Sequence, residues 1–198
     1  MQIIFLGFFV RVLLVIINFF FFPIPGGEYD TMKFYEEAIL YKRYLSGDIE
    51  QYDYQIGWIY SNFLGIIFLI FGDSAILGSI TSCLVWFFSA IIFRHILIEL
   101  KCKKKSILIA LISYSFIFPL SVIYTTFLLR EVYILFFFNL LVFIILKIKN
   151  EIYLKKKIRN IIFFLLISIL FIFFHRSNLV FYVTFTTLMI SYLFLKIY

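Results

Sequence analysis

Three arginines stand inside apolar stretches of the sequence, where a buried charge is costly. Arg11 lies in "FFVRVLL", Arg130 in "FLLREVY" and Arg176 in "FFHRSNL", and Glu131 is the one acidic residue in these stretches. An arginine stays protonated at any relevant pH, and its planar guanidinium binds phosphate with paired hydrogen bonds. The excess of positive charge predicts an anionic ligand, with Arg11, Arg130 and Arg176 as the phosphate-binding residues.

Carboxylates and a histidine complete the set of candidate reactive groups. Asp30 follows the first apolar stretch, so it could act as general base on an acceptor hydroxyl while arginines stabilise a departing phosphate. Glu131, His175 and Glu28 are expected to support the site. Asp30 and Glu28 could hold a divalent metal, but two carboxylates are a weak metal signal. No cofactor or metal centre is assigned.

Each of these residues also has an ordinary structural interpretation. Arg130 and Glu131 could form an ion pair at a helix start. Arg11 could pair with Glu131 or bind backbone carbonyls. Asp30 could be a solvated charge near a helix N-terminus, and His175 an interfacial histidine. The sequence leaves both sets of interpretations open.

The composition of the whole chain is that of an integral membrane protein. It has 198 residues, 64% of them hydrophobic, and a mean hydropathy of +1.07. A soluble domain is usually about 45–50% apolar, and this chain has too little polar surface to coat a water-soluble globule. We expect an all-α, polytopic transmembrane helical bundle forming a single membrane domain, residues 1–198.

The net charge of +7 is explained by two short segments rather than by a nucleic-acid surface. Lysine and arginine concentrate in 94–105 and 147–159, between apolar runs. That distribution is typical of cytoplasmic loops. It predicts contact with membrane lipid and location in the cytoplasmic (inner) membrane. It does not predict a nucleic-acid partner.

A membrane-spanning helix needs about 20 apolar residues. The apolar runs of this chain predict six to seven membrane segments. The candidates are 3–22, 56–71, 74–93, 106–124, 132–146, 160–174 and 179–195. Several are short, so some need not cross fully.

The segment 23–55 interrupts this pattern and is expected to be an outer loop. It carries seven acidic residues against three basic ones. Within it, Thr31 is a plausible N-cap and Gly47 a plausible C′ residue of an amphipathic interfacial helix. The apolar stripe of that helix would comprise Phe34, Ala38, Tyr41 and Leu45.

The lysine-rich segments, taken as one side of the membrane, place the other polar features opposite them. Arg130–Glu131 falls near the turn of the stretch 106–146, and His175–Asn178 near the middle of 160–195. Two full crossings at 56–71 and 74–93 conflict with this arrangement. Either 56–71 crosses incompletely, or 94–105 lies outside.

The order of these features resembles the GT-C-type polytopic glycosyltransferases, which use polyprenyl-phosphate sugars. A first helix is followed by "GGEYDTMKFYEEAILYKRYLSGD", similar to that family's first outer loop with its acidic catalytic residue and juxtamembrane helix. "FPLSVIYTTFLLREVYILFFFNLL" resembles its later segment with an Arg-acidic pair. The resemblance covers about residues 1–180.

The resemblance implies a membrane glycosyltransferase acting on a lipid-linked phosphate at the outer face, with Asp30 as catalytic base and Arg130 and Glu131 in the later motif. The chain is much shorter than family members and holds at most their N-terminal module. Two alternatives stay open: a non-catalytic membrane subunit of a larger complex, and a carrier of anionic lipid.

Overall fold

The computed structural model describes residues 1–25, 28–53, 59–117, 122, 125–174, 178–180, 182–184 and 187, apart from the side chains of residues 28 and 117. The predicted all-α class is confirmed, since this part of the chain contains helices and turns but no strand. The helices are α1 (Gln2–Phe20), α2 (Glu28–Leu45), α3 (Ile59–Phe71), α4 (Ala75–Glu99), α5 (Lys104–Ile112), α6 (Glu131–Asn150) and α7 (Leu154–Phe174). A π-helical turn, Ser113–Ile117, follows α5 directly.

Four of these helices, α1, α4, α6 and α7, are long and apolar enough to cross a membrane. The chain is therefore a membrane protein. The apolar segment predicted at 56–71 forms the 13-residue α3, about 20 Å long and shorter than the ~30 Å hydrocarbon core. Most of the segment predicted at 179–195 lies outside the described residues, so the count of six to seven stays a prediction.

Cross-helix contacts give the helix directions. Ser89 of α4 meets Asn139 of α6, and further along both helices Glu99 accepts from Lys147 and Asn150. α4 and α6 are therefore parallel. Since Glu99 and Lys147 adjoin the two lysine-rich segments, both segments lie at one end of the bundle, called the lysine end from here on.

The other long helices run antiparallel to these two. α1 contacts α4 through Phe5 against Phe87 near the α1 start. Further along α1, the Arg11 guanidinium lies near Cys83, which is about one turn earlier in α4. The last residue of α7, Phe174, packs on Tyr133 in the first turn of α6. The end of α7 and the start of α6 thus share the end opposite the lysines.

Because α4 and α6 are parallel, residues 100–130 must return the chain from the lysine end to the opposite end. α5 and the π-helical turn form the first part of this return. In the apolar segment predicted at 106–124, the part described up to residue 117 is α-helical to Ile112 and π-helical from Ser113. Thr125 completes the return beside α4, where its carbonyl accepts from Cys83 Sγ at 3.6 Å.

α2 packs along α3 and shields the start of α6. Phe34 and Ala38 are buried, whereas Tyr41 is partly exposed and Leu45 exposed, so only the first half of the predicted stripe is buried. At the far end of the pair, Lys42 Nζ donates to Asp73 Oδ1 at 2.9 Å.

The two predicted ends of α2 have different outcomes. Thr31 is not the N-cap, because α2 begins at Glu28 and Thr31 lies inside its first turn. Gly47 is confirmed as the C′ residue, with φ of +80°. Asp48 N donates to Arg43 O at 2.9 Å, and Gly47 N to Tyr44 O at 3.2 Å. These are the two bonds of a Schellman motif, in which glycine carries the left-handed residue.

Candidate functional site

The start of α6 holds a guanidinium in a partly enclosed position. Arg130 is the N-cap residue of α6 but does not cap it with its side chain. Its side chain is 24% exposed, and its guanidinium carbon lies 5.4 Å from the centre of the Phe34 ring of α2. The ring quadrupole and the guanidinium attract each other, so α2 helps to fix this arginine at the helix N-terminus.

The charge of Arg130 is only loosely balanced by its neighbour. Its Nε lies 4.0 Å from Glu131 Oε1, which is beyond hydrogen-bonding distance. Neither Arg130 Nε nor Glu131 Oε2 has a hydrogen-bond partner among the described residues, although both atoms are buried. The predicted ion pair exists, but it leaves the donors of the guanidinium available.

Two buried tyrosines adjoin this pair and were not predicted from the sequence. Tyr60 of α3 and Tyr133 of α6 have ring centres 5.1 Å apart and are almost fully buried. Neither hydroxyl has a hydrogen-bond partner in the described part of the chain. The nearby Ser82 hydroxyl donates to Gly78 O at 3.2 Å, and its oxygen stays open to accept from one of the two phenols.

Buried hydroxyls without partners are costly, and most so in a membrane interior. Two phenols, a serine and an Arg-Glu pair therefore make a polar cluster in an otherwise apolar core. We call it the α6-start cluster, and its members are Tyr60, Ser82, Arg130, Glu131 and Tyr133. A sequence signal for Tyr60 existed in "IYSNF" (59–63), where Ser61 and Asn62 extend a polar patch within an apolar run.

Aromatic rings enclose the α6-start cluster on several sides. Phe34 meets the Tyr60 ring edge-on at 5.1 Å, and Phe63 meets the Tyr133 ring at 5.7 Å. Phe174 stacks on Tyr133 at 5.8 Å. These rings come from α2, α3 and α7, so three helices converge on the first turn of α6.

Asp30 lies at the solvent edge of the same region. It is exposed in the first turn of α2, one helical turn before Phe34, so both residues lie on one helix face. Since Phe34 contacts Arg130, Asp30 lies about one helical turn from a residue that touches Arg130. Asp30 makes no hydrogen bond or ion pair with the described residues.

Three further predicted site residues cannot be placed in the same way. His175, Arg176 and the side chain of Glu28 lie outside the described residues. Phe174, which precedes the first two, contacts Tyr133 at the α6 start. The buried Asn178, which follows them, donates to Phe171 O of α7 at 2.8 Å.

Arg11 occupies a separate position, deeper in the bundle. It is fully buried in the middle of α1. One of its terminal nitrogens donates to Gly7 O and to Ser115 O, each at 3.0 Å. Its guanidinium lies 3.5 Å from the Trp86 ring centre. Arg11 therefore joins α1, α4 and the π-helical turn, which is the carbonyl-binding alternative left open by the sequence.

A hydrogen-bonded network extends from Trp86 across the bundle. Trp86 stacks on Tyr114, whose hydroxyl lies 2.8 Å from Ser89 Oγ. Asn139 donates to Ser89 Oγ at 2.9 Å and to Tyr114 OH at 3.1 Å. This network holds the π-helical turn between α4 and α6. Trp86, which Arg11 contacts, lies about one turn of α4 closer to the lysine end than Ser82 of the α6-start cluster. Arg11 and Arg130 therefore lie at different depths in the bundle.

Within the described ranges, no three or more His, Cys, Asp or Glu side chains come together in a way that could hold a metal ion. No protein-family model, curated protein or solved structure matches the chain. The geometry of the α6-start cluster therefore carries the functional argument alone.

Proposed function

We propose that the α6-start cluster binds the phosphate of a lipid-linked sugar or glycan at the membrane face opposite the lysine end. The observation that carries this proposal is the guanidinium of Arg130, fixed over Phe34 with its donors largely unused. A helix N-terminus adds partial positive charge at the same place. The phenols of Tyr60 and Tyr133 offer neutral donors to the phosphate oxygens.

The apolar surroundings suit a lipid carrier better than a soluble phosphate. The cluster lies between helices whose outer surfaces are apolar, and Phe63 is both exposed and in contact with Tyr133. A polyprenyl chain could lie along such surfaces while its phosphate reaches Arg130. Arg176, which follows Phe174 by two residues, is proposed as a second phosphate ligand.

We further propose that the reaction is glycosyl transfer with Asp30 as general base, as the GT-C resemblance implies. The acceptor hydroxyl attacks the anomeric carbon of the sugar, and its proton passes to the Asp30 carboxylate. The bond from the anomeric carbon to the phosphate oxygen breaks, and the phosphate departs with the electron pair. Arg130 stabilises the negative charge that develops there.

Binding is tested with purified protein in phosphorus-free detergent, using polyprenyl phosphate as the ligand and polyprenol as the uncharged probe. Charge-assisted hydrogen bonds contribute about 1.5–3 kcal/mol, so Arg130→Gln should weaken polyprenyl-phosphate binding roughly 10- to 100-fold. Arg94→Gln removes the same charge from α4 near the lysine end and should leave affinity unchanged. Equal affinity of Arg130→Gln and wild type would refute the phosphate site.

Catalysis is tested separately from binding. Asp30→Asn should abolish transfer of sugar from a polyprenyl-phosphate donor while leaving polyprenyl-phosphate affinity within twofold, because Asp30 is proposed to touch the acceptor rather than the phosphate. Transfer that continues at the wild-type rate in Asp30→Asn would exclude this residue as the base.

A non-catalytic membrane subunit is the second candidate function, and one observation favours it. Arg11, one of the three predicted phosphate ligands, is used to join helices. If Arg130 serves assembly in the same way, a partner chain should co-purify with the wild type from its native membrane and be lost in Arg130→Gln. Polyprenyl phosphate should then bind neither protein.

A further inference from the structure

We propose that a groove on the outer face of α7, at the lysine end, binds one anionic phospholipid of the adjacent leaflet. The groove has a volume of about 570 Å³ and is open along its length rather than enclosed. Its described lining is Lys155, Ile158, Arg159, Asn160, Ile162, Phe163 and Leu166. The site is independent of the function proposed above, because it lies at the opposite end of the bundle.

The polar groups of the groove lie together at the lysine end, in the first two turns of α7. Lys155 and Arg159 are one helical turn apart, so their side chains project from the same face. Neither makes an ion pair with the described residues. Lys156, on a different face of the helix, lies instead over the Tyr153 ring at 5.1 Å. The groove therefore presents two uncommitted cations and the Asn160 amide.

The remainder of the groove is apolar and open to its surroundings. Ile158, Ile162, Phe163 and Leu166 are each about half exposed. They continue along α7 from the cations towards the middle of the bundle. A ligand that fits must have a charged group at one end and a hydrocarbon body at the other.

The length of the groove matches one leaflet of a bilayer. From Lys155 to Leu166 the helix rises about 16 Å, at 1.5 Å per residue. Half of a ~30 Å hydrocarbon core is about 15 Å. With Lys155 at headgroup level, Leu166 lies near the bilayer centre, where an acyl chain from that leaflet ends. A phospholipid has these dimensions, so it is the occupant to which the geometry points.

The charge around the groove selects the sign of the headgroup. Ten cationic residues cluster at the lysine end: Lys101, Lys103, Lys104, Lys105, Lys147, Lys149, Lys155, Lys156, Lys157 and Arg159. Only Glu99 and Glu151 oppose them, and Glu99 is already bound by Lys147. Basic clusters at a membrane surface attract anionic headgroups, and the positive N-terminus of α7 adds to that attraction.

The test measures lipid retention by native mass spectrometry, after the full-length protein is equilibrated with an equal mixture of phosphatidylglycerol and phosphatidylcholine. The groove variant is Lys155→Gln with Arg159→Gln. The matched control is Lys103→Gln with Lys105→Gln, which removes the same charge outside the groove. Ile162→Trp narrows the groove without changing charge. Lys155, Arg159 and Ile162 line the groove, whereas Lys103 and Lys105 do not. All five side chains are exposed, so the substitutions should leave the fold intact.

We expect wild type to retain phosphatidylglycerol in preference to phosphatidylcholine. Retention should fall at least threefold in the groove double variant and in Ile162→Trp, and should stay unchanged in the control. Equal losses in both double variants would show diffuse surface attraction and overturn the site. Equal retention of the two lipids by wild type, or a protein dimer that Ile162→Trp disrupts, would overturn the assigned occupant.

Discussion

Replacing Gly65 by alanine tests the contact that holds α2 in place. A Cβ atom at this position would lie 2.7 Å from the carbonyl oxygen of Ala38 and 3.0 Å from Tyr41 Cδ1. The oxygen belongs to the backbone of α2, so it cannot turn aside as a side chain can. Gly65→Ala should therefore push α2 away from α3. Phe34 and Asp30 belong to α2, so they should move with it.

The size of the effect follows from the overlap. Ordinary carbon–oxygen contacts are about 3.3–3.6 Å, so the two helices must separate by about 0.6 Å at this point. Overpacking of this kind costs about 1–3 kcal/mol, and the contact with backbone favours the upper end. The higher helix propensity of alanine returns about 1 kcal/mol. The net loss in the free energy of unfolding should be about 2 kcal/mol.

The assay is an unfolding titration with a denaturing detergent in mixed micelles, followed by the loss of helical circular dichroism. Ile70→Ala is the control, because Ile70 is 66% exposed on the same helix and should change the unfolding free energy by no more than about 0.5 kcal/mol. Polyprenyl-phosphate binding should also weaken in Gly65→Ala. A Gly65→Ala protein as stable as wild type would refute the close packing of α2 on α3.

Three further predictions use the same unfolding titration. Gly7→Ala should lower the free energy of unfolding by about 1–3 kcal/mol, because its Cβ would meet the Trp86 ring at 2.8 Å and that ring is held by the Arg11 guanidinium. An unchanged unfolding midpoint would contradict this contact. Asn139→Leu should lower the free energy of unfolding by about 1 kcal/mol, typical of hydrogen bonds between membrane helices. Adding Ser89→Ala should lower it little further, since both changes break one network. Full additivity of the two losses would contradict the network. Partial burial raises the pKa of Glu37 above its ordinary value of 4.5; Lys33 opposes this shift, and the carboxylates of Asp53 and Glu36 add to it. Folding therefore favours protonated Glu37, so the unfolding free energy should fall as pH rises from about 4.5 through the raised pKa; Glu37→Gln should lose this slope, and an identical slope in the variant would exclude Glu37 as its source.

Helix class and the main apolar segments followed from the sequence because hydropathy alone determines them. The first helix, predicted over 3–22, is Gln2–Phe20. Helix ends set by tertiary contacts were missed. The fourth helix runs on through the basic segment 94–105 as far as Glu99, where Lys147 and Asn150 of a distant part of the chain bind the carboxylate.

The candidate site could be predicted in part, and the reason differs from residue to residue. Arg130 and Glu131 were conspicuous because charges are rare in apolar runs. Tyr60 and Tyr133 were not, because tyrosine is common in this chain, 14 residues in all, and membrane proteins use it as an interface anchor. Only the packing of α3 on α6 reveals that their hydroxyls are buried without partners. Hydropathy likewise could not separate Arg11, which joins helices, from Arg130.

The most direct test of the phosphate site is the magnetic dipolar coupling between the phosphorus of bound polyprenyl phosphate and isotope-labelled arginine guanidinium nitrogens. It is recorded on frozen protein in phosphorus-free detergent. We predict a strong coupling in wild type that falls in Arg130→Lys to the contribution of Arg176 and is unchanged in Arg159→Lys. A coupling of full strength in Arg130→Lys, or none in the wild-type complex, would contradict the assignment of the α6 start as a phosphate site.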